Sequence, residues 1–289
     1  MRPASEPHLA AYLARMGHET PPPPTLETLV ELQRTHLARV PYENLGIMMG
    51  RAPSVEPDAC LAQLARVGRA GYCFHQNAAF ERVLHALGFT VGRRHGHVWV
   101  TEANRFTGSL NHLALVVSGL PTTGNPGGDW WADVGLGDAF RDPLPVVPGD
   151  TEQDGFRYGM SDVSGQGWSF RHDTSGTFTG VEVTTRDVRQ HTVEAAHREL
   201  SSPSAGHFAR FLAVHRRDAT GVDSVLGCRL LRVETGRRDE TELTSYDEWR
   251  AALTDAVGLP LDDIAREALL DLWMRTRRTH REWVAAGRP

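Results

Sequence analysis

The chain has 289 residues, 40% of them hydrophobic, so it can bury a sizeable core as one large domain or as two or three smaller ones. Its formal charge is -5, with 31 basic residues dispersed among 36 acidic ones, which leaves no basic stripe for nucleic acid or an anionic membrane. All of the basic residues are arginine, and the lack of lysine excludes Schiff-base and pyridoxal phosphate enzymes, P-loop nucleotidases and ordinary kinases, which need an amine on a flexible stem.

The opening stretch "MRPASEPHLAAYLARMGHET" carries no apolar leader core, and no run of 18 apolar residues follows anywhere, which predicts a soluble, cytoplasmic protein. Over residues 1–89 the segments "HLAAYLARMG", "TLETLVELQRTHLARV", "DACLAQLARV" and "FHQNAAFERVLHALGF" repeat apolar residues at three-to-four spacing and predict a small helical domain. From Thr90 the pattern shortens to strands, "TVGRRHGHVWV", "NHLALVV", "WWADVGLG" and "GTFTGVEVTTRDV", which predict a sheet or open barrel over 90–200. Within it "TTGNPGGD" lacks the GxGxxG form and precedes a strand, so it reads as a hairpin connection. After "SSPSAGHF" the segment "FARFLAVHRR" predicts a helix, "SVLGCRLLRVETG" a strand, and "SYDEWRAALTDAVG" and "DIAREALLDLWMRTRRTHREWVAAG" two closing helices, giving a third domain over 201–289. The fold class is therefore α+β.

Three cysteines, Cys60, Cys73 and Cys228, are too sparse for a disulfide framework and fit a reducing compartment. Cys60 and Cys228 sit in apolar surroundings and read as small buried hydrophobes. Cys73, in "RAGYCFHQN", stands at the start of a predicted helix, where unpaired N–H groups and the helix dipole favour a thiolate. His112 opens the otherwise apolar strand "LNHLALVV", and Asp133 is a lone carboxylate in "WWADVGLG", a position that requires a partner. Taken singly, the three read as a core thiol, a strand-end histidine and a turn acid. Taken together, a cysteine opening a helix with the histidine and the acid on consecutive strands is the arrangement of a Cys-His-Asp triad. A rival metal site is spelled by His95, His97 and Glu102 in "HGHVWVTE", two same-side histidines and an acid at cupin-like spacing; the second histidine motif of a cupin is missing, so this stretch reads as a solvated strand face and no metal is expected.

The chain resembles the arylamine N-acetyltransferase family along nearly its whole length. "HLARVPYENLGI" resembles that family's His-x-x-x-(Ile/Val)-Pro-Phe-Glu-Asn-Leu block, "RAGYCFHQN" its nucleophile block, "FTGSLNHLALVV" and "WWADVGLGDAFRDPLPV" its histidine and aspartate strands, and "SSPSAGHF" its link to a third domain. The resemblance implies a helical bundle, a β-barrel and an α/β lid around a papain- or transglutaminase-like core, with Cys73, His112 and Asp133 as the triad. It further implies ping-pong transfer of an acyl group from acetyl-CoA or another acyl thioester to a small-molecule amine such as an arylamine, coenzyme A contacts from Thr107, Gly108 and Ser109, and an acceptor pocket at Phe74, Leu136 and Phe208. Ala70, His75, Leu136, Asn111 and Gly46 depart from the family pattern, and His75 and Leu136 alter the pocket. The alternatives are an amide synthase drawing its acyl chain from a carrier protein, a cysteine hydrolase or transglutaminase-like enzyme, and a metal-bound cupin-like barrel.

Overall fold

The computed structural model describes residues 6–186, 188–204 and 206–287; Met1–Ser5, Asp187, Ala205, Arg288 and Pro289, which fall in the opening, strand, link and closing segments read above, lie outside the described residues. The chain begins with α1 (Glu6–Met16) and α2 (Leu26–Arg39), whose start is capped by the Thr25 hydroxyl accepting from the Thr28 N–H. A two-residue strand β1 (Tyr42–Glu43) and the short α3 (Leu45–Met48) follow, then α4 (Pro57–Val67), capped by the Glu56 carboxylate and ended by Gly68 at φ 77°. The fifth helix, α5 (Cys73–Ala86), is buried on every side from Cys73 to Leu84. Its polar residues act as connectors: Gln76 donates to the Pro41 carbonyl at 2.9 Å and bonds His36 at 2.7 Å, Arg82 reaches Asp58 at 2.6 Å, and Glu81 pairs with Arg93 at 2.6 Å.

The second part is an eight-stranded antiparallel sheet of β2 (Thr90–Trp99), β3 (His112–Ser118), β4 (Trp130–Ala132), β5 (Leu144–Pro145), β6 (Gly149–Gln153), β7 (Phe156–Ser164), β8 (Gly167–Arg171) and β9 (Gly180–Thr184). Its order is β5-β4-β3-β2-β9-β8-β7-β6. The two edge strands, β5 and β6, are joined only by residues 146–148, so the edges must approach each other and the sheet curls into a nearly closed barrel. The Gln153 side chain bridges the gap by accepting from the Arg141 and Asp142 N–H groups, and Trp131, Phe140, Tyr158 and Phe170 fill the interior. The "TTGNPGGD" segment links β3 to β4, with Thr122 and Asn125 bridged across its turn.

The expected element boundaries fail at three places. A helix α6 (Gln190–Leu200) fills the end of the 90–200 stretch expected to be sheet or open barrel. The segment "FARFLAVHRR" is no helix: a single 3-10 turn (His207–Ala209) gives way to β10 (Ala213–Arg217), because this stretch is flanked by pairing partners on both sides. The single strand expected at "SVLGCRLLRVETG" is a hairpin of β11 (Gly221–Leu226) and β12 (Arg229–Glu234), turning at Gly227 with φ 61°, and it continues into β13 (Arg237–Glu242). These strands form a second sheet, β1-β10-β11-β12-β13, so the early strand β1 completes a sheet built mainly from the last third of the chain. The chain closes with α7 (Tyr246–Ala251), a π-helical turn (Ala252–Ala256) and α8 (Arg266–Ala285), packed on that sheet through Trp249, Leu253, Leu272 and Trp273. Among the described residues no helix is long and apolar enough to cross a membrane.

Candidate active site

Cys73 is the first residue of α5, and the loop before it is fixed from two directions. Arg69 forms a two-pronged pair with Asp263 at 2.6 and 2.8 Å, and the Gly71 carbonyl accepts from the Glu43 N–H at 3.1 Å. The thiol is 3% exposed and donates to the Asn111 carbonyl at 3.5 Å. Asn111 is itself held by a side-chain amide that mimics a strand partner, bonding both the N–H and the carbonyl of Val98 at 2.6 and 2.9 Å. Burial pushes the Cys73 thiol well above its ordinary value, with a smaller lift from the Asp133 charge, while the N–H groups of Phe74, Leu113 and Cys73 itself offset part of this. The resting group is therefore a thiol, and the expected thiolate at the helix start is overruled by desolvation.

His112, the first residue of β3, places Nε2 at 2.6 Å from Asp133 Oδ2 with both side chains out of water. Because a carboxylate only accepts, Nε2 carries the hydrogen of this bond and Nδ1 is left facing away from the acid. Asp133 is held by three more donors: Trp131 Nε1 at 3.1 Å, and Asn77 Nδ2 and the Gly135 N–H at 2.9 Å each. Its own N–H donates to Gln33 Oε1 at 2.9 Å.

Asn77, one turn beyond the cysteine on α5, also accepts from the Val134 N–H at 2.9 Å and donates to the Leu113 carbonyl at 2.6 Å. It thus ties the nucleophile's helix to β3, which opens with the histidine, and to the segment just after β4, where the acid sits outside the strand expected to hold it. Sequence reasoning passed over Asn77, Gln33 and Trp131; the signal for Asn77 was its position four residues after Cys73, on the same helix face.

Glycines set the remaining distances. A Cβ on Gly135 would lie 2.8 Å from Cys73 Cα, one on Gly96 would lie 3.0 Å from His112 Cδ2, and one on Gly137, where φ is 80°, would lie 3.0 Å from His215 Cδ2.

Cys73 and His112 open on one cavity of about 490 Å³. Of the expected pocket residues, Leu136 and Phe208 line it, whereas Phe74 points into the helical core against Tyr72 and does not. His75 is also absent from the lining: it is buried behind the site against Tyr72 and His197, and burial lowers it to about 3. Thr107, Gly108 and Ser109 lie in the loop leading into β3 and do not line the cavity.

The rival metal motif is corrected by the same loop. His95 and His97 are buried, not solvated, and both His97 nitrogens are engaged, Nε2 with the Asn104 carbonyl at 2.7 Å and the Thr107 hydroxyl at 3.0 Å, Nδ1 with the Ser109 carbonyl at 3.0 Å and hydroxyl at 3.1 Å. Glu102 instead faces Arg105 and Arg171, and among the described residues no three His, Cys, Asp or Glu side chains converge to hold a metal.

A family model described as N-acetyltransferase matches residues 25–266. Proansamycin X synthase of Amycolatopsis mediterranei is 28% identical over 253 residues, covering 84% of this chain and 94% of that one. An arylamine N-acetyltransferase of Mycolicibacterium smegmatis is 25% identical over 263 residues, covering 89% and 94%. Among solved structures, Mycobacterium marinum arylamine N-acetyltransferase in complex with CoA superposes with a TM-score of 0.82 at 23% identity, covering 94% of this chain and 99% of that one.

Proposed function

This chain belongs to the arylamine N-acetyltransferase family, a family of acyltransferases, and on that premise we propose that it carries an acyl group on Cys73 from a thioester donor to an amine, with His112 and Asp133 completing a catalytic triad. The observation that carries the reading is the His112–Asp133 pair at 2.6 Å, opening with Cys73 on one cavity.

A thiol that is protonated at rest gives that pair a definite task. Lowering a thiol pKa raises the thiolate fraction but lowers its nucleophilicity at a Brønsted slope of about 0.4–0.5, so a permanently ionised cysteine gains little in rate. A base that removes the proton as attack proceeds gains more. Cys73 Sγ bonds to the donor's carbonyl carbon as its proton passes to His112, and collapse of the tetrahedral adduct breaks the donor's C–S bond and returns the proton to the departing thiolate. The amine then attacks the acyl-cysteine, its proton passes to His112 and on to Cys73, and the amide leaves. Asp133 holds the imidazole in the required tautomer and stabilises its cation. On this reading the N–H groups beside Sγ are the donors that meet the developing oxyanion.

Acetyl-CoA is the favoured donor, supported by the CoA complex of the M. marinum neighbour. With no lysine in the chain its phosphates must be met by arginines or backbone N–H groups, with Thr107, Gly108 and Ser109 beside the pantetheine arm, so affinity should be modest and salt-sensitive. The likeness to proansamycin X synthase supports a second reading, an amide synthase fed by an acyl carrier protein. Either would act in the cytoplasm.

Intact-mass analysis after incubation with acetyl-CoA, longer acyl-CoAs and acyl-pantetheine, followed by aniline-type or aliphatic amines, separates the readings. Fast acetylation and transfer to anilines supports the first, long chains and aliphatic amines the second. Release of free acid alone, or acylation confined to Cys60 or Cys228, overturns both.

A further inference from the structure

The cavity wall supplied by β1 and β10 contains two polar side chains that the chemistry above does not use. Tyr42 and His215 are opposite partners in the β1–β10 register, both line the cavity, and their rings meet edge to face with centroids 5.5 Å apart. His215 Nδ1 is fixed by the Ser224 hydroxyl at 2.8 Å, and the His215 ring rests against Gly137. Tyr42 is fixed through its backbone, bridged to Gly71 on one side and paired with β10 on the other.

Among the described residues no group hydrogen-bonds to the Tyr42 hydroxyl, nor is that oxygen one of the sealed, unpartnered polar atoms of the interior. The same holds for His215 Nε2. Burial, the Cys73 sulfur and Asp138 all resist ionisation of the phenol, so it remains a donor, and burial likewise keeps His215 neutral. The rest of the lining mixes apolar Leu136, Phe178, Phe208 and Phe211 with polar Asn111, Thr177, His207 and Arg229. A rigid neutral donor beside an imidazole, with the rings of Phe178, Phe208 and Phe211 in the same lining, fits a flat ligand that carries one neutral oxygen.

We propose that Tyr42 and His215 form an oxygen-recognition pair that selects acyl acceptors carrying a hydroxyl, alkoxy or carbonyl group in addition to their amine. This rests on the acyl-transfer reading for its consequence, but the recognition itself does not need turnover.

The test compares wild type with Tyr42→Phe, a change that removes one oxygen to which no described residue hydrogen-bonds. First, p-cresol and p-xylene, which differ only by hydroxyl for methyl, are titrated into each protein and followed by ligand NMR. The p-cresol preference of wild type should fall by roughly 3- to 10-fold in the variant, the worth of one hydrogen bond. Second, transfer rates from acyl-Cys73 to 4-methoxyaniline and 4-methylaniline are compared in both proteins; intrinsic amine reactivity cancels in the ratio, which should fall by a similar factor. The same preference in both proteins, or no preference in either, overturns the proposal. Failure of Cys73 to acylate with any thioester would instead remove the acyl-transfer reading and leave the binding comparison to decide this one.

Discussion

Gly135→Ala tests the architecture of the site without touching a chemical group. The added methyl would lie 2.8 Å from Cys73 Cα and 3.0 Å from both the Cys73 carbonyl oxygen and Asn77 Nδ2. Ordinary carbon–carbon contact is roughly 3.5–4.0 Å, so the β4 side and the start of α5 must separate by roughly 0.7–1.2 Å. Gly135 is not in the left-handed region, so alanine is compatible with its backbone and the effect is steric alone. Overpacking of this kind costs about 1–3 kcal/mol, which lowers the melting temperature but leaves the protein folded at 25 °C. A displacement near 1 Å between nucleophile and base costs about a hundredfold in rate. Single-turnover acylation of Cys73 with acetyl-CoA, followed by intact mass, should therefore slow by about two orders of magnitude, alongside a modest fall in melting temperature. Acylation within threefold of wild type at unchanged melting temperature would show that the Gly135–Cys73 contact does not position the nucleophile.

Asn77→Ala strips partners from the Val134 N–H, the Leu113 carbonyl and one Asp133 oxygen; urea unfolding should show a loss of roughly 2–4 kcal/mol, and a loss below about 0.5 would remove Asn77 as a tie between helix and strands. Asp133→Asn should slow Cys73 acylation by about 10²- to 10⁴-fold by disturbing the His112 tautomer, and near-full activity with native melting would contradict its assigned role. Burial holds His36 at about 4 and His75 at about 3, below the ordinary value of 6.5, so both are neutral when folded and protonate on unfolding. Their stabilisation is complete above pH 6.5 and is lost as pH falls, by about 1.4 kcal/mol per group per pH unit down to about pH 4. Equal stability at pH 7 and pH 5 would refute this. Purified protein should carry no stoichiometric iron, zinc or manganese by elemental analysis and lose no activity to chelators; metal bound through His95 and His97 would require the loop contacts of His97 to break.

What the sequence revealed and what it hid follow from the range of the interactions. Cys73 stood out as the cysteine that opens a predicted helix, and His112 and Asp133 as lone polar groups in apolar strand segments, all local properties. The glycines that fit against them, and Gln33, which reaches Asp133 across 100 residues, depend on tertiary contacts with no local trace. Strand β10 was mistaken for a helix because Phe208, Phe211 and Leu212 fall at helical spacing, although the two phenylalanines face the cavity and Leu212 packs against the closing helices. Strand β13, "RRDETE", is exposed throughout and carries no apolar alternation, so only its pairing with β12 reveals it. The buried α5 was legible as a helix, yet its polar connectors hid that it lies at the centre of the molecule.

The pairing of Tyr42 with His215 spans 173 positions of the chain. On a ribosome elongating at about 5–20 residues per second, β1 therefore waits on the order of 10–35 s for its neighbour to be made. During that interval the cysteine and its helix are already synthesised, while one wall of the cavity does not yet exist. A nascent chain would thus hold a reactive thiol in an unfinished cleft, protected from electrophiles and from premature acylation only by the helical core around it. Pulse-labelling of stalled chains with a thiol reagent would register the closing of that wall as a change in the rate at which Cys73 is modified.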